Sequence, residues 1–209
     1  MKGIFYAISI AGLLMLLSCK KDNETKAGLP VYKVVDNSVI NWKGFLRNGY
    51  FNEGSIEVKG KNIDFSGGLI KSGEIEMPLS SITNYNIADE TLRAQLIHHL
   101  QSADFFNIAL YPSLKFEIVH SEFYDGSFPD AIPGANVLVT GKLTILGTPG
   151  VVVFPAKVSL ENNELIIKAK LKINRLNFGL DYNSDESLSD SEYIMPDIFL
   201  DFDLRAIRI

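Results

Sequence analysis

Two groupings in this chain carry residue types that do chemistry. His98 and His99 are adjacent, with Asp89 and Asp104 nearby and a third histidine at His120. Imidazoles beside carboxylates could hold a zinc ion or serve as a general base. Neighbouring positions on a helix point about a hundred degrees apart, so His98 and His99 cannot both ligate one metal from a single helix. The bland reading is a helix surface with one partly buried imidazole. The second grouping is Asp181, Asn183, Asp185 and Glu192, spaced like positions 1, 3, 5 and 12 of a calcium loop. Glu186 stands where that loop needs its sharp-turn glycine, and no basic residue occurs from Asp181 to Asp203. A solvated acidic loop ahead of the last strand accounts for it. The sequence has neither a serine-centred nucleophile elbow nor a phosphate-cradling glycine loop. No catalytic residue, no metal and no cofactor is therefore expected.

The single cysteine, Cys19, has a different chemistry. Lys2 gives a short positive start, Ile4 to Leu17 is almost wholly apolar, and the run ends in Leu16-Leu17-Ser18-Cys19. The apolar core is shorter than a membrane span and ends in a small residue, as a secretory signal does. The ending resembles the bacterial lipobox, with Leu17 a less usual occupant, in which the cysteine becomes the lipidated first residue of the mature chain. Residues 1–18 are read as a lipoprotein signal peptide and Cys19 as the lipidation site. The polar stretch within residues 19–30 is read as a flexible tether, and residues 31–209 as one domain. This implies a chain in the bacterial cell envelope, lipid-anchored to a membrane, facing the periplasm or exposed on the outer-membrane surface.

The elements that position any site are mostly strands. Of the 209 residues, 46% are hydrophobic and 22% charged, which excludes a largely disordered chain. The net charge of -5, without a basic stripe, excludes nucleic acid as a partner. From Val31 onward apolar residues alternate with polar ones. Ile40-Trp42-Gly44, Ile56-Val58, Ile75-Met77-Leu79 and Leu114-Phe116-Ile118 each share a strand face. So do Val139 to Ile145, Val152 to Val158, Leu165 to Ile173 and Ile198 to Leu204, taken at every second residue. Turn signals such as Ser66-Gly67-Gly68, Asp125-Gly126 and Pro133-Gly134 divide them. Asp89 to Gln101 differs, with Leu92, Leu96 and Leu100 at helical spacing behind a capping Asp89. The pattern predicts an all-β, closed antiparallel barrel of about eight strands, with one helix in a long connection.

Alternation alone does not say which face is inside. An outer-membrane barrel turns its apolar residues outward. Aromatic girdles are not evident here, and the opposite faces carry Lys168, Lys170, Lys172, Glu74 and Glu76, so an apolar interior is expected. Trp42, Phe65, Met77, Phe116 and Phe154 fall on faces that could line a cavity there. Plain core packing accounts for aromatics at such positions equally well.

Several motifs together resemble the YceI-like family of polyisoprenoid-binding, lipocalin-like proteins. They are Val31-Tyr32-Lys33-Val34 through Trp42, Met77-Pro78-Leu79-Ser80-Ser81-Ile82, and His99 to Phe106 followed by Tyr111-Pro112-Ser113-Leu114-Lys115-Phe116. Val139 to Gly147 and Ile173-Asn174-Arg175-Leu176-Asn177-Phe178-Gly179 complete the set, in order and across Val31 to Ile209. After Gly147 the chain departs from the family pattern with Thr148-Pro149-Gly150. The resemblance implies an eight-stranded barrel holding a long isoprenoid or similar amphiphile, such as a quinone-like or fatty-acid-like molecule, in an apolar tunnel. Arg175 then either meets an anionic head group or pins a strand end by a structural ion pair. If the acidic loop lies over the mouth, it disfavours an anionic head. The leading expectation is a non-enzymatic, membrane-tethered lipid-binding or carrier protein. The alternative is an envelope stress or interaction protein with a packed barrel and no ligand. An interior tunnel of roughly several hundred Å³ favours the first, and a filled interior favours the second.

Overall fold

The computed structural model describes residues 29–36 and 38–209, with the backbone alone at Lys61. Cys19, the signal segment and all but the last two residues of the tether lie outside the described residues. Among the described residues ten strands run in chain order: β1 (Val31–Val34), β2 (Val39–Leu46), β3 (Phe51–Glu57), β4 (Lys59–Ser66) and β5 (Leu69–Pro78) precede the helix α1 (Glu90–Gln101). β6 (Ser113–Phe123), β7 (Val137–Ile145), β8 (Thr148–Glu161), β9 (Glu164–Asn174) and β10 (Ile194–Arg208) follow it.

All the pairings are antiparallel. The ring runs β1-β4-β5-β6-β7-β8-β9-β10 and closes where β10 pairs with β1, so eight strands make the barrel. The long β10 pairs with β2 through Ile194 to Phe202 and with β1 through Ala206 to Arg208. β1 and β2 thus lie end to end along one edge of β10, and the β2–β3 hairpin flares the wall beyond the ring. The outer edge of β3 would be an open row of backbone groups. The segment after β5 covers it instead. Thr83 N–H donates to Ser55 O and Tyr85 N–H to Glu53 O, both at 2.8 Å, and the Asn86 side chain accepts from Glu53 N–H at 3.0 Å.

The alternation expected from the sequence places its apolar face inward. Ile40, Ile75, Met77, Phe116, Val139, Phe154, Ile167 and Leu204 are all in the buried core. Outward, β9 and β10 are laced by Lys168–Asp203, Lys170–Asp201 and Lys172–Asp197 ion pairs at 2.6–3.2 Å. That is the reverse of an outer-membrane barrel. Gly141 makes one core contact possible. A Cβ built there would lie 2.1 Å from Phe116 Cζ, so the Phe116 ring occupies the space a side chain would need.

The helix begins where the sequence placed it. Asp89 is its N-cap, accepting from Leu92 N–H at 2.9 Å. Only its C-terminal half meets the barrel. Leu100 is buried, whereas Leu92, expected on the same apolar stripe, is 56% exposed. Gln101 ties the helix to the wall by donating to Leu79 O at 3.0 Å. No helix among the described residues is long and apolar enough to cross a membrane.

Candidate functional site: an apolar cavity under the helix

One end of the barrel is left partly unfilled. The hairpin β2–β3, α1, the aromatic pair Phe105–Phe106 and the loop between β9 and β10 surround a cavity of about 170 Å³. Its wall is almost wholly apolar. Trp42 and Met77 belong to it, with Leu96 and Leu100 from the helix and Leu180 and Ile194 from the two ends of the loop. A second void of about 50 Å³ lies deeper, walled by Phe116 and Phe154 among others. Ile40, Met77, Leu143 and Leu200 belong to both walls, so these four side chains are the partition between them.

The candidate residues therefore separate. Trp42, Met77 and Arg175 line the larger cavity, and Met77, Phe116 and Phe154 line the smaller. Phe65 lines neither, and packs edge-on against Tyr32 at 6.0 Å between ring centres. The combined space is smaller than a tunnel of several hundred Å³. A void of roughly 150 Å³ admits a benzene-sized group, so a longer chain needs the partition to move. Met77 suits that, because an unbranched thioether side chain repacks readily.

Arg175 is fully buried at 0% exposure. Among the described residues it forms no ion pair of the kind the sequence allowed. Its Nε donates to Met195 O at 3.2 Å, one terminal nitrogen donates to Ile194 O at 2.9 Å, and the other donates to Leu180 O. Every guanidinium nitrogen is thereby engaged with backbone, and both ends of the loop are tied to one side chain. Burial pushes the guanidinium pKa down, while Tyr193 and Asp181 pull it up.

The histidines part company. His99 is in the cavity wall, with its ring 4.6 Å from that of Tyr182 and 6.1 Å from Phe105. His98 faces a shallow outer hollow, and His120 is an exposed residue 4.0 Å from Glu122. Among the described residues no group of three or more His, Cys, Asp or Glu could hold a metal.

The acidic loop has a cation that sequence reasoning missed. Arg47 donates to Glu186 O at 3.2 Å and lies 3.4 Å from Asp190 Oδ1, with its guanidinium 3.9 Å from the Tyr193 ring centre. The Asn183 amide, a calcium-loop position, donates to Glu192 O at 3.1 Å. Asn52 was missed as well. Its side chain is in the cavity wall, and its register opposite Gly44 placed it on the inward face.

A closed antiparallel barrel of eight strands, apolar within and charged without, capped by a helix over an apolar cavity, defines a lipocalin-like class. The sequence pattern of the YceI-like domain matches residues 36–206, and the chain belongs to that family. Three solved structures share the fold. BcnA of Burkholderia cenocepacia is 18% identical over 80% of this chain and 95% of its own, with a TM-score of 0.61. A polyisoprenoid binding domain from Saccharophagus degradans implicated in plant cell wall breakdown is 15% identical over 85% of this chain and 98% of its own, with a TM-score of 0.61. The Campylobacter jejuni YCEI protein is 22% identical over 73% of this chain and 81% of its own, with a TM-score of 0.51. Among curated proteins none matches.

Proposed function

We propose that this chain is a membrane-tethered binding or carrier protein for an isoprenoid or similar amphiphilic lipid, anchored through Cys19 in a bacterial envelope. The observation that carries the reading is the apolar cavity under α1, which adjoins a second void through a partition of four side chains. The mechanism is partition of hydrocarbon out of water, with no bond made or broken. Each methylene buried contributes ~0.8 kcal/mol and needs no polar partner. The Saccharophagus relative, a polyisoprenoid binding domain, supports the ligand class. Quinone-like and fatty-acid-like molecules share the same chemistry of tail.

The modest volume favours a second reading, a packed barrel that acts by interaction and holds no ligand. Native mass spectrometry of the chain purified from its own envelope, followed by organic extraction, separates the two. The expected result is one lipid molecule per chain. A lipid-free mass, together with no uptake of added farnesol, overturns the binding reading.

A further inference from the structure

Two buried polar side-chain atoms among the described residues have no hydrogen-bond partner, Trp42 Nε1 and Asn52 Oδ1. Both belong to side chains in the wall of the larger cavity. They are also neighbours. Trp42 stands opposite Gly54 and Gly44 opposite Asn52 in the β2–β3 ladder. Trp42 and Asn52 are therefore the diagonal pair of that square, within reach of long side chains. The other two corners are glycines and have no side chain with which to partner either atom. An indole N–H is a donor only, and an amide oxygen an acceptor only. Leaving each buried and unpaired is a standing cost to the fold. One small group relieves both at once if it accepts from the indole and donates to the amide.

We infer that the cavity takes its ligand with a hydroxyl head seated between Trp42 and Asn52, so that the ligand class is an uncharged long-chain alcohol. The inference rests on the lipid-binding reading and refines it. A charged head fits poorly. The arginine in the wall, Arg175, already has each nitrogen bonded to a backbone carbonyl. A carboxylate or phosphate would lose its hydration in an almost wholly apolar wall whose arginine is already engaged, which costs far more than burying a hydroxyl that is hydrogen-bonded. A hydroxyl uses its lone pair on Trp42 and its proton on Asn52. A carbonyl head would leave the amide oxygen unmet.

The test compares farnesol, the saturated hydrocarbon of the same branching and farnesyl phosphate, by calorimetry on the purified full-length chain. Each neutral hydrogen bond is expected to contribute about fivefold in Kd, so farnesol binds about 25-fold tighter than the hydrocarbon. W42F keeps an aromatic ring and removes the donor, and N52L keeps the size and removes the acceptor. Each is expected to cut the farnesol advantage over the hydrocarbon to about fivefold, with an unchanged far-ultraviolet circular dichroism spectrum certifying the fold. Trp42 is the sole tryptophan and lines the cavity, so its emission should shift when farnesol binds. Equal binding of farnesol and hydrocarbon, an advantage that survives in W42F, or tighter binding of farnesyl phosphate overturns the seat and leaves the lipid reading standing. Binding of none of the three overturns both.

Discussion

Arg175→Met is the substitution whose cost follows most directly from the geometry. It removes a fully buried guanidinium and leaves an apolar side chain of similar length. Three backbone carbonyls, those of Leu180, Ile194 and Met195, lose a charged donor together. A hydrogen bond to a charged group is worth roughly 1.5–3 kcal/mol net, so the three sum to roughly 5–9 kcal/mol before compensation. Two effects reduce that. Burial already disfavours the guanidinium charge, as its lowered pKa records, so removing the charge returns part of the loss. Met195 is 36% exposed, so water replaces the donor there. The expected net loss is about 3–4 kcal/mol. At an m-value of roughly 2 kcal/mol/M in urea, the unfolding midpoint should fall by about 1.5–2 M with m unchanged. Thermal unfolding should fall by roughly 6–15 °C. Arg175→Lys, which keeps the charge but not the fork, should lie between the two. A midpoint lowered by less than about 0.3 M in Arg175→Met would refute the account of Arg175 as the pin of the loop.

Gly141→Ala places a Cβ against the Phe116 ring. It should cost about 1–3 kcal/mol by overpacking, read from urea unfolding, and a wild-type midpoint would mean the ring moves freely. Met77→Trp puts a bulky, stiff side chain into the partition between the two voids. If it excludes even two ligand methylenes, farnesol binding weakens about tenfold without loss of the folded state, and unchanged affinity would show that the ligand does not cross the partition. Cys19→Ala should move the chain from the membrane fraction to the soluble fraction on immunoblot. A variant that stays with the membrane counts against the lipid anchor.

What was legible in the sequence was which face of each strand looks inward, because one buried face forces a period of two. The run Leu165 to Ile173 was the clearest, and it is β9. β4 was legible only through Phe65, without a full alternation around it. Among Lys59 to Ser66 only Ile63 and Phe65 are large and apolar, between Lys, Asn and Asp. The helix start was written in Asp89. The exposure of Leu92 was not, because the spacing does not say how much of a helix reaches the barrel. Phe65 exposes the same limit. Parity gives a residue's face and not its height along the barrel, so Phe65 and Met77 looked alike, yet only Met77 lies in a cavity wall. Arg47 was invisible for a different reason. Its partners Glu186 and Asp190 are 139 and 143 residues away, and no local pattern carries such a pairing.

The charge arrangement at the capped end bears on the head group independently of Trp42 and Asn52. The loop leaves the cavity wall at Leu180 and rejoins it at Ile194, so its acidic residues are strung across that end. Tyr182 from the loop packs on His99 from the helix, which fixes the loop against the cap. Arg47 answers part of the negative charge at Asp190, but Asp181, Asp185, Glu186 and Glu192 remain in the same short loop. An anionic head approaching here meets repulsion outside and, inside, a cation whose nitrogens are already bonded. An uncharged hydroxyl meets neither obstacle. On the proposed hydroxyl seat, the acidic loop and the engaged Arg175 disfavour what the orphaned indole and amide do not need, so selectivity would come as much from what the site repels as from what it holds.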